Sequence, residues 1–124
     1  MVLHFEKEVS DIRGKILFLS DGSKNINIVE IKKGFARGGH YHKAEQVHLI
    51  MTGKIEYREE ILVTGKELIR IISAPAVLKI PANTAHLFIA IEDTIFAEIF
   101  DNKYEATDYT KYRKLVEEFM NNSY

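Results

Sequence analysis

Apolar and polar positions along the chain fall into short runs separated by turn residues. Residues 2–5 make a first brief run, read as an edge strand. Residues 15–19, rich in Ile, Leu and Phe, end at Asp21-Gly22, a pair suited to a hairpin turn. Residues 25–32 return from that turn, with Ile26, Ile28 and Glu30 on one face and Val29 and Ile31 on the other. Gly34, Gly38 and Gly39 then predict a permissive loop. Strands are predicted over 46–52 and 55–60, joined at Gly53-Lys54. Another covers 68–72, after an apolar stretch at 61–64 and a turn at Gly65-Lys66. A break at Ala74-Pro75 precedes a strand over 77–80, which ends at Pro81. Residues 86–91 and 94–100 form a last hairpin around Glu92-Asp93. Short strands at turn spacings of roughly 8–12 residues predict an all-β barrel or sandwich, here over about 15–100.

The period changes near the end. Tyr109, Tyr112, Val116 and Phe119 recur at helical spacing, with Leu115 beside them. The expectation is a C-terminal helix over about 108–120, capped by Thr107 or Asp108 and laid across the barrel. Asn121 and Asn122 suit its exit. The length of 124 residues predicts one domain, 1–124. With 46% hydrophobic and 28% charged residues, the chain has the composition of a soluble globular protein. Its 17 basic and 18 acidic residues form no block, so neither a nucleic-acid nor a membrane-surface partner is expected. The absence of cysteine excludes disulfides and thiolate chemistry and accords with a cytoplasmic location. Neither a signal core nor a membrane span is expected. A barrel this small has exposed edges, so a homodimer is expected, with the N-terminal strand crossing to the partner.

Candidate chemistry gathers in one stretch, Arg37-Gly38-Gly39-His40-Tyr41-His42-Lys43, followed by Gln46 and His48. On an extended strand His40, His42, Gln46 and His48 leave the same face, with Ala44 as a gap, while Tyr41, Glu45 and Val47 take the other. A face so dense in imidazole needs water, a ligand or a metal to satisfy its nitrogens. Arg37 precedes the histidines in the predicted loop. It reads either as a solvated charge or as a fork for a phosphate or carboxylate at the mouth of a site. Glu30 reads either as an interior member of the polar site or as a solvated edge residue. His4 is read as surface, and Tyr41 and Tyr57 as core.

His40-x-His42 with Gln46 and Gly53, and then Pro81-x-Asn83-x-x-His86, resemble the two motifs of the cupin superfamily. The resemblance spans roughly residues 28–100. It implies a cupin-type jelly-roll β-barrel with the histidines inside. Gln46 stands where many metal-binding cupins carry Glu, and Glu45 has the wrong parity to replace it. A narrower likeness is that of residues 37–43 with Gln46 to the dTDP-sugar 3,4-ketoisomerases, where Gln46 is expected. Tyr104-Glu105-Ala106-Thr107-Asp108-Tyr109 with Tyr112 is similar to that family's closing segment. The resemblance implies that His40 and His42 are an acid/base pair and that Arg37 lies at the substrate. The Arg-Gly-x-His-x-His theme is also similar to the metal-carrying cupin domain of some capsular-polysaccharide enzymes.

Three functions follow. The first is isomerisation or epimerisation of a nucleotide-linked keto-deoxy sugar, with His40 and His42 exchanging protons and no cofactor. Arg37, His48 and His86 would contact that substrate. The second is a metal-dependent cupin enzyme, dioxygenase- or lyase-like. His40, His42 and His86 would then supply three nitrogens and Gln46 an amide oxygen to a divalent zinc, iron, nickel or manganese ion. The third is a sugar-binding cupin without turnover, since this fold hosts many chemistries. His86 is expected on an apolar wall with Phe88 and Ala90, opposite His40 and His42.

Overall fold

The computed structural model describes residues 2–101 and 105–121. Tyr104 of the closing segment and Asn122 of the helix exit lie outside the described residues. The elements run β1 (His4–Asp11), β2 (Gly14–Ser20), β3 (Lys24–Ile31), β4 (Ala36–Tyr41), β5 (Gln46–Thr52) and β6 (Lys54–Ile61). They continue with β7 (Lys66–Ser73), β8 (Ala76–Ile80), β9 (Thr84–Ala90), β10 (Thr94–Asp101), β11 (Thr107–Asp108) and α1 (Thr110–Asn121).

The antiparallel pairs are nested: β6 with β7, β5 with β8, β4 with β9, β3 with β10. That nesting is a long hairpin rolled on itself, the jelly-roll topology. Successive rungs fall alternately into two sheets, ordered β1-β2-β3-β10-β5-β8 and β11-β4-β9-β6-β7. The chain is thus an all-β jelly roll with a C-terminal helix, as the strand rhythm and the helical spacing predicted. No described helix is long and apolar enough to cross a membrane.

Between the sheets lie Val29, Ile31, Ile50, Ile55, Tyr57, Phe88 and Phe96. A second cluster, Ala36, Leu87, Ile89, Tyr112 and Val116, lies on the outer side of the five-stranded sheet, where α1 packs. β9 is therefore covered on both faces, and all seven of its residues are buried. Tyr112 reaches past the core to donate to Glu67 Oε2 at 2.8 Å.

Four local expectations are corrected. The N-terminal strand is His4–Asp11, not 2–5: every residue of β1 is exposed, so its sequence carries no inward period, and pairing with β2 alone defines it. Residues 36–41 form strand β4 rather than loop, held by β9 and, at its other edge, by β11. Residues 62–65 are a turn, closed by Gly65 N–H donating to the Ile61 carbonyl at 2.7 Å. Thr107 and Asp108 pair with Tyr41 and His40 as β11 instead of capping the helix, which starts at Thr110.

Gly53 makes the β5–β6 turn with φ +92°, and a Cβ there would collide with the Asp93 carbonyl and with Thr94. Backbone strain and overpacking add, so Gly53→Ala should cost about 2–4 kcal/mol. Urea denaturation checks this, and a loss below about 1 kcal/mol would contradict the packing described.

Candidate functional site

Gly39 decides where the first histidine points. Arg37 pairs with Phe88 and Gly38 with Leu87, but His40, not Gly39, is the partner of His86. The extra residue is a β-bulge, with Gly39 at φ +82°. It shifts side-chain parity by one, so Arg37 and His40, three residues apart, both face the interior. Glycine is required for a second reason: a Cβ on Gly39 would press on the backbone of Arg113 in α1. The helix is hooked to the same spot. Tyr109 N–H donates to the Gly39 carbonyl at 2.8 Å, and Arg113 Nη1 donates to the Gly38 carbonyl at 2.9 Å.

His40 and His86 are thus neighbours in one sheet, with ring centroids 4.8 Å apart, rather than facing each other across the barrel as expected. His42 lies just past the end of β4, 4.8 Å from the His40 ring and 5.3 Å from that of His86. Its Nδ1 donates to the Glu105 carbonyl at 2.6 Å, and His86 Nδ1 makes a longer contact, 3.4 Å, with the Thr84 carbonyl. A carbonyl only accepts, so Nδ1 carries the proton in both rings. Nε2 is then the ring nitrogen available as an electron-pair donor in each. Donor atoms of His40, His42 and His86 come together within 4.8 Å.

Gln46 and His48 do not continue the strand of His40 and His42, as the parity reading had it. They belong to β5 in the facing sheet, and residues 42–45 form the crossing between the two. Both still point inward: Gln46 and His48 are buried. Among the described residues, His40 Nε2, Gln46 Oε1 and both ring nitrogens of His48 lack a hydrogen-bond partner. His48 Nε2 lies 3.5 Å from Glu98 Oε1, within reach of charge attraction but too long for a well-formed hydrogen bond.

The cluster sits between two hollows. His40 and His86 border a cavity of about 540 Å³, a size usual for small-molecule sites. His42 and Gln46 border a smaller one of about 240 Å³. Phe18, Phe88 and Phe96 line the larger cavity, and Lys7, Arg13, Arg37 and Arg113 bring positive charge to it. Its acidic residues are Glu6 and Glu98.

Arg37 is not a solvated loop charge. It is buried in β4, donating from Nε to the Glu30 carbonyl at 2.9 Å and from Nη2 to the Gly14 carbonyl at 3.1 Å. Burial, helped by neighbouring Arg13, pushes its guanidinium down to about 10. Glu30 lies on the face of β3 opposite Asn27, Val29 and Ile31, and its carboxylate accepts from Lys15 N–H, so it does not join the interior site.

Asn27 and Glu98 are site residues that sequence reasoning missed. They are cross-strand partners, and Asn27 Nδ2 donates to Glu98 Oε2 at 3.1 Å. The signal was available: Glu98 alternates with Phe96 and Phe100, and Asn27 with Val29 and Ile31. Burial pushes the Glu98 carboxyl up, but His48, Asn27 and His40 together outweigh it and hold it below the usual range. Burial lowers His40 to about 4, reinforced by His42, and takes His86 well below 6.5, reinforced by His40, His48 and His42.

Clustered imidazoles, two of them oriented by backbone carbonyls, are the donor chemistry of a transition-metal centre, so the three-histidine cluster fits a metal. No family model matches the chain, and no curated protein does. Solved structures do. A deletion variant of Bacillus subtilis oxalate decarboxylase aligns at TM-score 0.77 and 15% identity, covering 87% of this chain and 32% of that one. The B. subtilis oxalate decarboxylase studied for its Mn(II) centres aligns at 0.73 and 18%, covering 83% and 30%. The capsular polysaccharide assembling protein CapF from Staphylococcus aureus aligns at 0.67 and 19%, covering 79% and 30%. This chain spans about a third of the length of those proteins. The likeness carries the fold: a cupin-type jelly roll.

His40 and His86 bind protons less readily folded than unfolded. As pH falls below about 6.5 the unfolded chain takes up the extra protons and stability drops, until His40 itself protonates near 4. Metal-stripped protein should lose about 2 kcal/mol between pH 7.5 and 5 through His40 alone, and more through His86. Asp11 and Glu98, with ordinary values of 3.8 and 4.5 and lowered here, act at lower pH. Urea titrations at the two pH values check this, and His40→Asn should flatten the slope.

Proposed function

We propose that this chain is a metal-dependent cupin enzyme acting on a small anionic molecule. The observation that carries this is the convergence of His40, His42 and His86, with Nδ1 of two of the rings committed to backbone carbonyls. Those three residues would hold a divalent transition ion, with Gln46 near His42 as the candidate amide-oxygen donor. Such an ion supplies a Lewis acid that polarises a substrate oxygen.

The protein's own residues account for the rest. Lys7, Arg13, Arg37 and Arg113 outnumber Glu6 and Glu98 around the cavity, which favours a carboxylate- or phosphate-bearing ligand. Asp11 offsets part of that charge, 2.7 Å from Arg13 and 3.7 Å from Arg37. Phe18, Phe88 and Phe96 keep water from one side of the cavity. Glu98, held by Asn27 at the edge of the cavity, would accept a hydrogen bond from the substrate. Arg37, whose Nε and Nη2 both donate to carbonyls, contributes its field more than a free fork.

The second reading is the metal-free ketoisomerase or epimerase on a nucleotide-linked keto-deoxy sugar. Residues 37–43, through their resemblance to the dTDP-sugar 3,4-ketoisomerases, favour it. Against it stands the weak basicity of His40, a poor proton acceptor at neutral pH.

Protein purified without a histidine tag should contain about one equivalent of transition metal per chain by elemental analysis. His42→Ala and His86→Ala should each lose most of it while keeping the wild-type circular dichroism spectrum. Metal-free wild type, with no rise in melting temperature on addition of Mn²⁺, Fe²⁺, Zn²⁺ or Ni²⁺, would overturn the proposal. Solvent deuterium entering a 4-keto-6-deoxy sugar nucleotide would then favour the isomerase, and its loss in His42→Ala would assign the base.

A further inference from the structure

Among the described cations that border the larger cavity, Arg113 alone is both fixed in place and without a counter-charge. Arg13 is bound to Asp11 through Nε and Nη2, at 3.1 and 2.7 Å. Arg37 uses Nε and Nη2 on the Glu30 and Gly14 carbonyls and lies 3.7 Å from the same Asp11. Lys7 is exposed and stands over the Phe18 ring, 4.8 Å from its centroid. Arg113 is held by a neutral acceptor, the Gly38 carbonyl, 2.9 Å from Nη1. No carboxylate of a described residue lies within ion-pair distance of it. A half-buried guanidinium ordinarily meets a carboxylate, because leaving water costs it solvation. A single carbonyl leaves most of its N–H donors unused. Yet the side chain is not loose. Its stem passes over Gly39, where a Cβ would come 2.8 Å from Arg113 Cδ. The missing side chain at 39 makes room for the stem, and the Gly38 carbonyl fixes the head.

We propose that Arg113 receives the carboxylate of the substrate, and that the substrate is a small hydroxy acid whose hydroxyl donates to Glu98. This deepens the reading of the histidine cavity as the substrate site and rests on it. The guanidinium fork matches a carboxylate, and a fork already oriented loses little freedom on binding. A monoanion suits it better than a phosphate dianion, because Asp11 already offsets Arg13 and Arg37. Glu98 comes from β10 in the facing sheet, half-buried and oriented by Asn27 Nδ2 at 3.1 Å. Arg113 and Glu98 form no ion pair with each other, and both act on the His40 ring with opposite sign. A ligand lying along the histidines therefore meets a cation on one side and an anion on the other. A dicarboxylate would set its second anionic end against Glu98, and a neutral polyol would leave Arg113 unmet. Both are thereby disfavoured.

Isothermal titration calorimetry on the full chain tests this, with and without Mn²⁺, using D-glycerate, malonate and glycerol as probes. Glycerate should bind and glycerol should not. In Arg113→Gln the amide can keep the bond to the Gly38 carbonyl. The circular dichroism spectrum, melting temperature and metal content should therefore hold, while glycerate affinity falls by about tenfold or more. Arg113→Lys keeps the charge without the fork and should retain part of the affinity, so it decides the matter if Arg113→Gln loses structure. Glu98→Gln should raise malonate relative to glycerate by about tenfold within one metal state, where chelation of the ion cancels. Unchanged glycerate affinity in both Arg113 variants would overturn the proposal and leave Arg113 a clip for the helix. Wild type that binds no glycerate in either metal state would overturn it too. A malonate-to-glycerate ratio indifferent to Glu98→Gln would refute the hydroxyl contact. Arg113-dependent glycerate binding by a protein that takes up no metal would uphold this inference and sink the metal role. Metal uptake with binding indifferent to Arg113 would do the reverse.

Discussion

β4 and β9 lie side by side with His40 opposite His86, and the site depends on that register. A slip of one residue would exchange inward and outward sets along β9, putting Leu87 and Ile89 inside and His86 and Phe88 under the helix. Packing on both faces resists the slip. Phe88 meets Tyr57 and Phe96 on the inner side, and Leu87 and Ile89 share a cluster with Tyr112 and Val116 on the outer. The helix, remote from the cavity floor, is in this sense part of the site. It also supplies Arg113, which ties the glycine pair before His40 and borders the cavity.

Burying three histidines beside a half-buried fourth and a half-buried carboxylate is costly, and the structure offsets that cost unevenly. Backbone carbonyls of Glu105 and Thr84 accept one hydrogen bond each from His42 and His86. Asn27 and His48 steady Glu98. Gln46 Oε1 and His40 Nε2 have no such partner among the described residues. Polar atoms left unsatisfied inside a barrel destabilise it unless a ligand completes them. The site is therefore poised for an occupant.

Much of the fold was legible along the chain, because most strands bury one face and so alternate, and because turns demand Gly, Asp and Pro. The strands around Ile28, Ile50 and Phe96 and the helix around Tyr112 follow from period and turn signals. Legibility failed where period carries no signal. β1 is exposed on both faces, so nothing in its order distinguishes inside from outside. In β4 a bulge resets the parity, which made Arg37 look like a loop charge and hid that it shares a face with His40.

The histidine spacing, the glycine pair and the turn before His86 determined that a polar, imidazole-rich interior would form. Those features are local, and local rules read them. Tertiary structure alone decided which groups meet. Gln46 and His48 arrive from the opposite sheet, Glu98 and Asn27 from strands distant in sequence, Glu105 from the closing segment and Arg113 from the helix. A β-barrel brings residues together across hydrogen-bonded registers that span much of the chain. The sign of each inward position is local, whereas its neighbour is fixed only once both sheets have closed around the core.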